Sequence, residues 1–219
     1  LHVFGPKGIK ESTEMLLNIS QSHAKYELIF HELSSTKSEL IFEDEKVSVH
    51  TIPLKHRVYT NGFLFKEKIK PKKLHIQNIG NYPEIDKADY LNIKAGRNIV
   101  LPSGEVISNE ELTIESEKPK SFAYCSDTCF LPSIIPIIKN ADLLYHEATF
   151  LSDKDDLARK TLHSTALQAA TIAKEANVKQ LILGHYSGRY KNTELFQEEA
   201  KTIFSETLLA EPGKIIEVN

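Results

Sequence analysis

Three short apolar runs between Phe122 and Tyr190 each stop at residues that bind metals or move protons. Phe122-Ala123-Tyr124-Cys125 ends in Ser126-Asp127-Thr128. Ala141-Asp142-Leu143-Leu144-Tyr145 ends in His146-Glu147, and Leu181-Ile182-Leu183-Gly184 ends in His185-Tyr186-Ser187. Short apolar runs bounded by turn residues predict buried strands, which need a sheet covered by helices. Polar groups at the ends of such strands sit where α/β folds build their sites. A fourth polar cluster, His163-Ser164-Thr165, falls between the second and third runs. Ser164 or Thr165 is the expected N-cap of a helix from Thr165 to Ala176, so His163 should lie just before a helix N-terminus.

The rest of the chain is read in the same way. Leu1 to Phe4 predicts a strand, and Met15, Leu16 and Ile19 recur at helical spacing in a segment from Glu14 to about His23, capped by Ser12 or Thr13. Strands are expected at 27–32, 39–42, 46–53 and 62–66, with Glu43-Asp44-Glu45 as a hairpin turn. Short helices are expected at 74–79 and 85–91, and a hairpin through 97–107. Pro132 suits the first turn of a helix from Leu131 to Asn140. A last helix at 194–204 and a strand at 214–218 complete the pattern. Strands alternating with helices behind an antiparallel opening predict a layered α/β architecture.

At 219 residues the chain suits one domain with an appended arm. No apolar run is long enough to span a membrane. With 27 Lys and Arg against 30 Asp and Glu, a globally basic nucleic-acid binder is excluded, and any such contact must be a local patch. The run Lys66, Lys68, Lys70, Lys72 and Lys73 is either a solvated face or an arm that docks phosphates. Cys125 and Cys129 are expected as buried free thiols, and so few cysteines fit a reducing cytoplasm. No secretory leader is expected. The first residue is not Met and already lies in an apolar strand, which predicts a fragment of a longer protein.

Histidine, aspartate and histidine at strand ends form a ligand set for zinc or a similar divalent ion, with Asp127 able to bridge two. A two-metal site clamps a phosphodiester and acidifies a bound water. Glu147 and His163 are then a second pair, because a carboxylate bonded to an imidazole raises its basicity and the imidazolium can protonate a leaving oxygen. His56 closes a strand beside Pro53 and Arg57, where spacing alone leaves its role open.

Taken together, Ser126-Asp127-Thr128, His146-Glu147-Ala148-Thr149, His163-Ser164-Thr165 and Gly184-His185-Tyr186-Ser187-Gly188-Arg189-Tyr190 resemble the ribonuclease Z family, the tRNA 3′-processing endonucleases of the metallo-β-lactamase superfamily. Pro53-Leu54-Lys55-His56-Arg57-Val58 and Phe4-Gly5-Pro6-Lys7-Gly8 extend the resemblance over nearly the whole of 1–219. It implies a metallo-β-lactamase-like αββα sandwich without its N-terminal strands, and residues 66–98 as a protruding tRNA-binding arm. His56, Asp127 and His185 are the implied metal ligands. His163 is the implied proton donor to the departing 3′ oxygen, supported by Glu147, with His146 packed behind them. Ser187 and Arg189 lie where they could reach a phosphate, and Lys68, Lys70, Lys72 and Lys73 would grip the tRNA body.

The resemblance further implies two Zn²⁺ per intact subunit, precursor tRNA as substrate, a homodimer, and a cytoplasmic protein without a membrane segment. The family's HxHxDH motif is not found in these residues. The chain by itself is therefore expected to hold zinc poorly and to be inactive. The other expectations are a different hydrolase of the superfamily, acting on phosphodiesters or lactones, and a non-catalytic RNA-binding or dimerising fragment.

Overall fold

A computed structural model describes residues 1–218, and the chain divides into two compact units. The first comprises 1–43, 48–66 and the chain from Lys120 onward; the second comprises 44–47 and 67–119.

The first unit opens with β1 (His2–Pro6), α1 (Ile9–Ile19) and β2 (Ile29–Leu33), and β1 pairs with β2 in parallel. The helix starts earlier than its apolar spacing predicts. Gly8, at φ 89°, turns the chain into it, and Thr13 Oγ1 bonds back to the Ile9 carbonyl instead of capping. No residue of α1 is buried, and Met15, Leu16 and Ile19 are all exposed.

A seven-stranded sheet follows. Its strands are β3 (Leu40–Glu43), β4 (Val47–Pro53), β5 (Asn61–Glu67), β10 (Ser121–Cys125), β11 (Leu143–Glu147), β12 (Gln180–Gly184) and β13 (Thr207–Leu209), in the order β13-β12-β11-β10-β5-β4-β3. The four strands β10 to β13 run parallel, and β5 lies antiparallel to β10. The last strand is not at 214–218. Pro212 and Gly213, the latter at φ 81°, form a turn there, and Thr207–Leu209 takes the sheet edge.

The helices of this unit are α5 (Ile135–Ile138), α6 (Asp155–Thr161), α7 (Ala166–Glu175) and α8 (Glu194–Lys201). A 3₁₀ turn at Pro132–Ile134 leads into α5, so the helix expected from Leu131 is present but shorter. Helix α6 carries mostly charged residues, with Ala158 its only buried position, so apolar periodicity did not reveal it. Thr165 caps α7 in a full capping box with Gln168. The buried alanines 166, 169, 170 and 173 present a thin face that joins Leu144, Leu181 and Leu183 in the core. Burial on this scale, at about 25 cal/mol per Å² of apolar surface, is what anchors the strand ends.

The second unit holds β6 (Lys73–Leu74), α2 (Ile76–Ile79), α3 (Tyr90–Lys94), β7 (Ile99–Val100), β8 (Val106–Ile107), α4 (Asn109–Leu112) and β9 (Thr113–Ile114). Two small antiparallel ladders, β6–β9 and β7–β8, frame a core of Ile79, Ile85, Ile93, Leu101, Ile107 and Leu112. The buried Asn109 amide donates to the carbonyls of Ile93 and Arg97, tying α4 to α3. The unit reaches beyond residue 98 to Pro119, and between 67 and 119 it carries eight Lys and Arg against nine Asp and Glu. The expected helix at 85–91 starts only at Tyr90, because Asp86 first bonds the Ala88 amide in a turn. Among the described residues, no helix is long and apolar enough to cross a membrane.

Candidate metal and proton-transfer site

The sheet register brings the predicted residues to one edge. Cys125 pairs with His146, which pairs with Leu183, and Glu147 pairs with Gly184, so β10, β11 and β12 end side by side. Because β5 is antiparallel to β10, the loop before it, which carries His56, arrives at the same edge. The loops are tied across: Cys129 N–H donates to the Lys55 carbonyl, Ala148 N–H to Gly184 and Ser187 N–H to Thr149.

Glu147 is the centre of the arrangement. It is fully buried, and its carboxylate accepts four hydrogen bonds. Thr128 N–H (2.7 Å) and His163 Nδ1 (2.8 Å) reach Oε1, while Thr149 Oγ1 (2.6 Å) and Ser164 N–H (3.1 Å) reach Oε2. Four donors match the four lone-pair positions of an ionised carboxylate, which has no proton to offer in return. With its oxygens all engaged, Glu147 is a scaffold for its neighbours and not a free ligand.

The hydrogen bonds also assign the tautomers of three histidines. The Thr149 hydroxyl gives its proton to Glu147, so it must accept from His185 Nδ1, 2.9 Å away. The His56 Nδ1 lies 3.1 Å from the Leu162 carbonyl, which can only accept. His163 Nδ1 donates to Glu147. All three rings therefore carry the proton on Nδ1 and leave Nε2 as the outward atom. The His56 and His163 ring centres are 4.9 Å apart, and those of His163 and His185 5.3 Å. His185 Nε2 lies 2.9 Å from Asp127 Oδ1. A lone pair facing a carboxylate oxygen at that distance calls for a shared cation or proton between them.

The pair that fits a divalent metal ion is Asp127 and His185, whose Oδ1 and Nε2 converge at 2.9 Å. They belong to a group, with His163 and the already engaged carboxylate of Glu147, whose ligand atoms lie within 4.8 Å of one another. Imidazoles locked by Nδ1 acceptors behind them are how proteins present Nε2 to a metal. His56 stands next to this group, against His163. Asp127 and His185 adopt left-handed backbone at φ 57° and 62°, as does Leu162 at φ 59°, just before His163. Such conformations cost about 1–3 kcal/mol for a residue other than glycine, and they concentrate at functional sites. Gly184 lets His185 approach, since a Cβ there would strike the Tyr145 hydroxyl.

The remaining predicted residues fall outside this cluster or support it. His146 is fully buried, its Nδ1 bonds the Glu147 carbonyl at 2.7 Å, and Nε2 has no partner among the described residues. Burial holds its imidazole below the usual histidine range. Arg189 is exposed, with Nη1 3.2 Å from Ser187 Oγ. Lys70 pairs with Glu67 and Lys72 with Glu115, in the second unit. Cys125 is a buried thiol pushed up to about 12 by desolvation, whereas Cys129 is only half-buried; neither forms a disulfide. Thr149, Thr128 and Leu162 were not singled out by sequence reasoning. Thr149 sits inside the His-Glu-Ala-Thr run and Thr128 inside Ser126-Asp127-Thr128, and that adjacency is the available signal.

No protein-family model matches the chain. The ribonuclease Z of Parabacteroides distasonis is 44% identical over 218 residues, which is all of this chain and 71% of that protein. The chain belongs to the ribonuclease Z family. Its fold agrees: human tRNase Z, short form, superposes with a TM-score of 0.63 at 22% identity, over 100% of this chain and 68% of that one. The metallo-β-lactamase fold protein YhfI from Bacillus subtilis superposes with a TM-score of 0.61 at 18% identity, over 99% and 65%. The expected metallo-β-lactamase fold is therefore the observed one. In this ribonuclease Z family chain, the four motifs quoted above all lie in the stretch that the relative shares.

Proposed function

We propose that this protein is a zinc-dependent endoribonuclease that removes the 3′ trailer from precursor tRNA in the cytoplasm, acting as a homodimer and leaving a 3′-hydroxyl. Family membership supports the reaction, and the carboxylate hub at Glu147 is the observation that carries the chemistry. His56, Asp127 and His185 would hold the metal through Nε2 and carboxylate oxygens. When bound, it supplies Lewis acidity at the scissile phosphate.

The chain's own residues supply the proton. As a water that has given up a proton to solvent attacks phosphorus, the bond to the 3′ oxygen breaks and that oxygen needs a proton. His163 carries one on Nε2 in its imidazolium form, and Glu147 at Nδ1 stabilises that form and holds the ring in place. Ser187 and Arg189, beside His185, would bind a neighbouring phosphate through hydroxyl and guanidinium. Lys68, Lys70, Lys72 and Lys73 would meet the tRNA body. Acidic residues outnumber basic ones across 67–119, so this contact rests on a local patch and will weaken with salt.

The test is His163→Ala in the whole, metal-loaded protein. Cleavage of precursor tRNA should fall roughly 10²–10⁴-fold, the usual contribution of a general acid, while tRNA binding is retained. Equal loss of binding and cleavage would overturn the assignment. A wild-type protein that turned over lactones or small phosphodiesters but left precursor tRNA intact would overturn the substrate.

A further inference from the structure

His163 lines a cavity of about 260 Å³, whose other walls are Cys129, Phe130, Arg159, Leu162 and Gln168. The cavity is small beside the 300–1,000 Å³ of most ligand pockets, so it suits one planar group rather than an extended ligand. Its walls suit such a group. Phe130 is 37% exposed and brings an aromatic ring to the wall. Arg159 is held at one nitrogen by Asp155 Oδ2 at 2.6 Å, leaving the rest of its five-donor fork to a ligand. Gln168 is fixed at both ends, donating to Asp155 Oδ1 and accepting from Thr165 N–H. A side chain held in this way forms a firm wall and loses little entropy when a ligand docks.

In an in-line displacement the attacking water and the departing oxygen lie on opposite sides of phosphorus. The water belongs on the side of Asp127 and His185. The departing 3′ oxygen belongs on the side of His163, which protonates it. The nucleoside that owns this oxygen must then lie beside His163, which is itself a wall of the cavity.

We propose that this cavity binds the base of the last retained nucleotide, the one whose 3′ oxygen departs, stacked on Phe130 and contacted at its edge by Arg159. The inference rests on the nuclease reading given above. It makes Phe130 and Arg159 residues that position the substrate at its cleavage point. Stacking tolerates any base, so the cavity fixes where the cut falls without reading which base is there.

The test combines a protein change with a substrate change in the whole, metal-loaded protein. Phe130→Ala should lower kcat/KM on precursor tRNA about ten-fold, in line with one base–aromatic stack. Removing the base of the last retained nucleotide should lower it as much for the wild type. Both together should do no further harm, because each removes the same contact. Additive losses, or no loss from either change while the wild type cleaves normally, would overturn the proposal. Failure of the wild type to cleave intact precursor tRNA would instead overturn the underlying reading. Cys129 supplies a readout that needs no variant, since Cys125 is fully buried and does not compete for reagent. Bound precursor tRNA should slow alkylation of Cys129 several-fold, and the abasic substrate should not. Equal protection by both would place the base elsewhere.

Discussion

Thr149→Val is the most incisive change available at the site. Valine keeps the shape but removes the hydroxyl that donates to Glu147 at 2.6 Å and accepts from His185 at 2.9 Å. Thr149 is only 6% exposed, so water cannot enter readily to replace it on the Glu147 side. A hydrogen bond to a buried charged group is worth about 1.5–3 kcal/mol, so the metal-free protein should lose about 2 kcal/mol of stability. The larger consequence is for the metal. Without its acceptor, His185 is no longer bound to the Nδ1–H tautomer, and Nε2 is a ligand only part of the time. Loss of such an outer partner typically costs 10–100-fold in metal affinity, equivalent to about 1.4–2.8 kcal/mol. Competition against a chromophoric chelator gives the affinity, and chemical denaturation of the metal-free form gives the stability. Thr149→Ser should restore both. A valine variant that lost stability but bound metal like the wild type would refute the tautomer argument, as would a serine variant as weak as valine.

Three other outcomes are expected. Glu199 of α8 accepts from the Ser152 amide and hydroxyl and from Leu167 N–H, capping the starts of two helical segments at once, so Glu199→Ala should destabilise the fold by about 2 kcal/mol in denaturant titration. Gly184→Ala drives a methyl group into the Tyr145 hydroxyl, and a loss of about 1–3 kcal/mol with displaced His185 is expected; Tyr145→Phe should recover part of it, and metal affinity reports the displacement. His146 is held neutral by burial, so above its unfolded value of about 6.5 the fold has this stability in full. As pH falls through that value the unfolded chain takes up a proton that the folded chain resists, and stability declines. In His146→Asn this part of the decline, seen in denaturation midpoints between about pH 7 and 5, should disappear.

Much of this was legible in the chain. The strands ending at Cys125, Glu147 and Gly184 were visible because each is a short apolar run that stops at polar residues. Ser164 or Thr165 was legible as the cap of α7, and Thr165 is the one that caps it. Segments with little apolar signal were less legible: α6 is largely charged, and the edge strand Thr207–Leu209 is only three residues long.

The residue types at the site, their order, and their position at strand ends were set by the amino-acid sequence alone, because each depends on local pattern. The tertiary structure decided which nitrogen of each histidine faces the site. The acceptors responsible lie far along the chain: Leu162 is 106 residues from His56, and Thr149 is 36 from His185. It also decided that Asp127 and His185 take left-handed backbone, a conformation that any residue with a Cβ enters only at a cost.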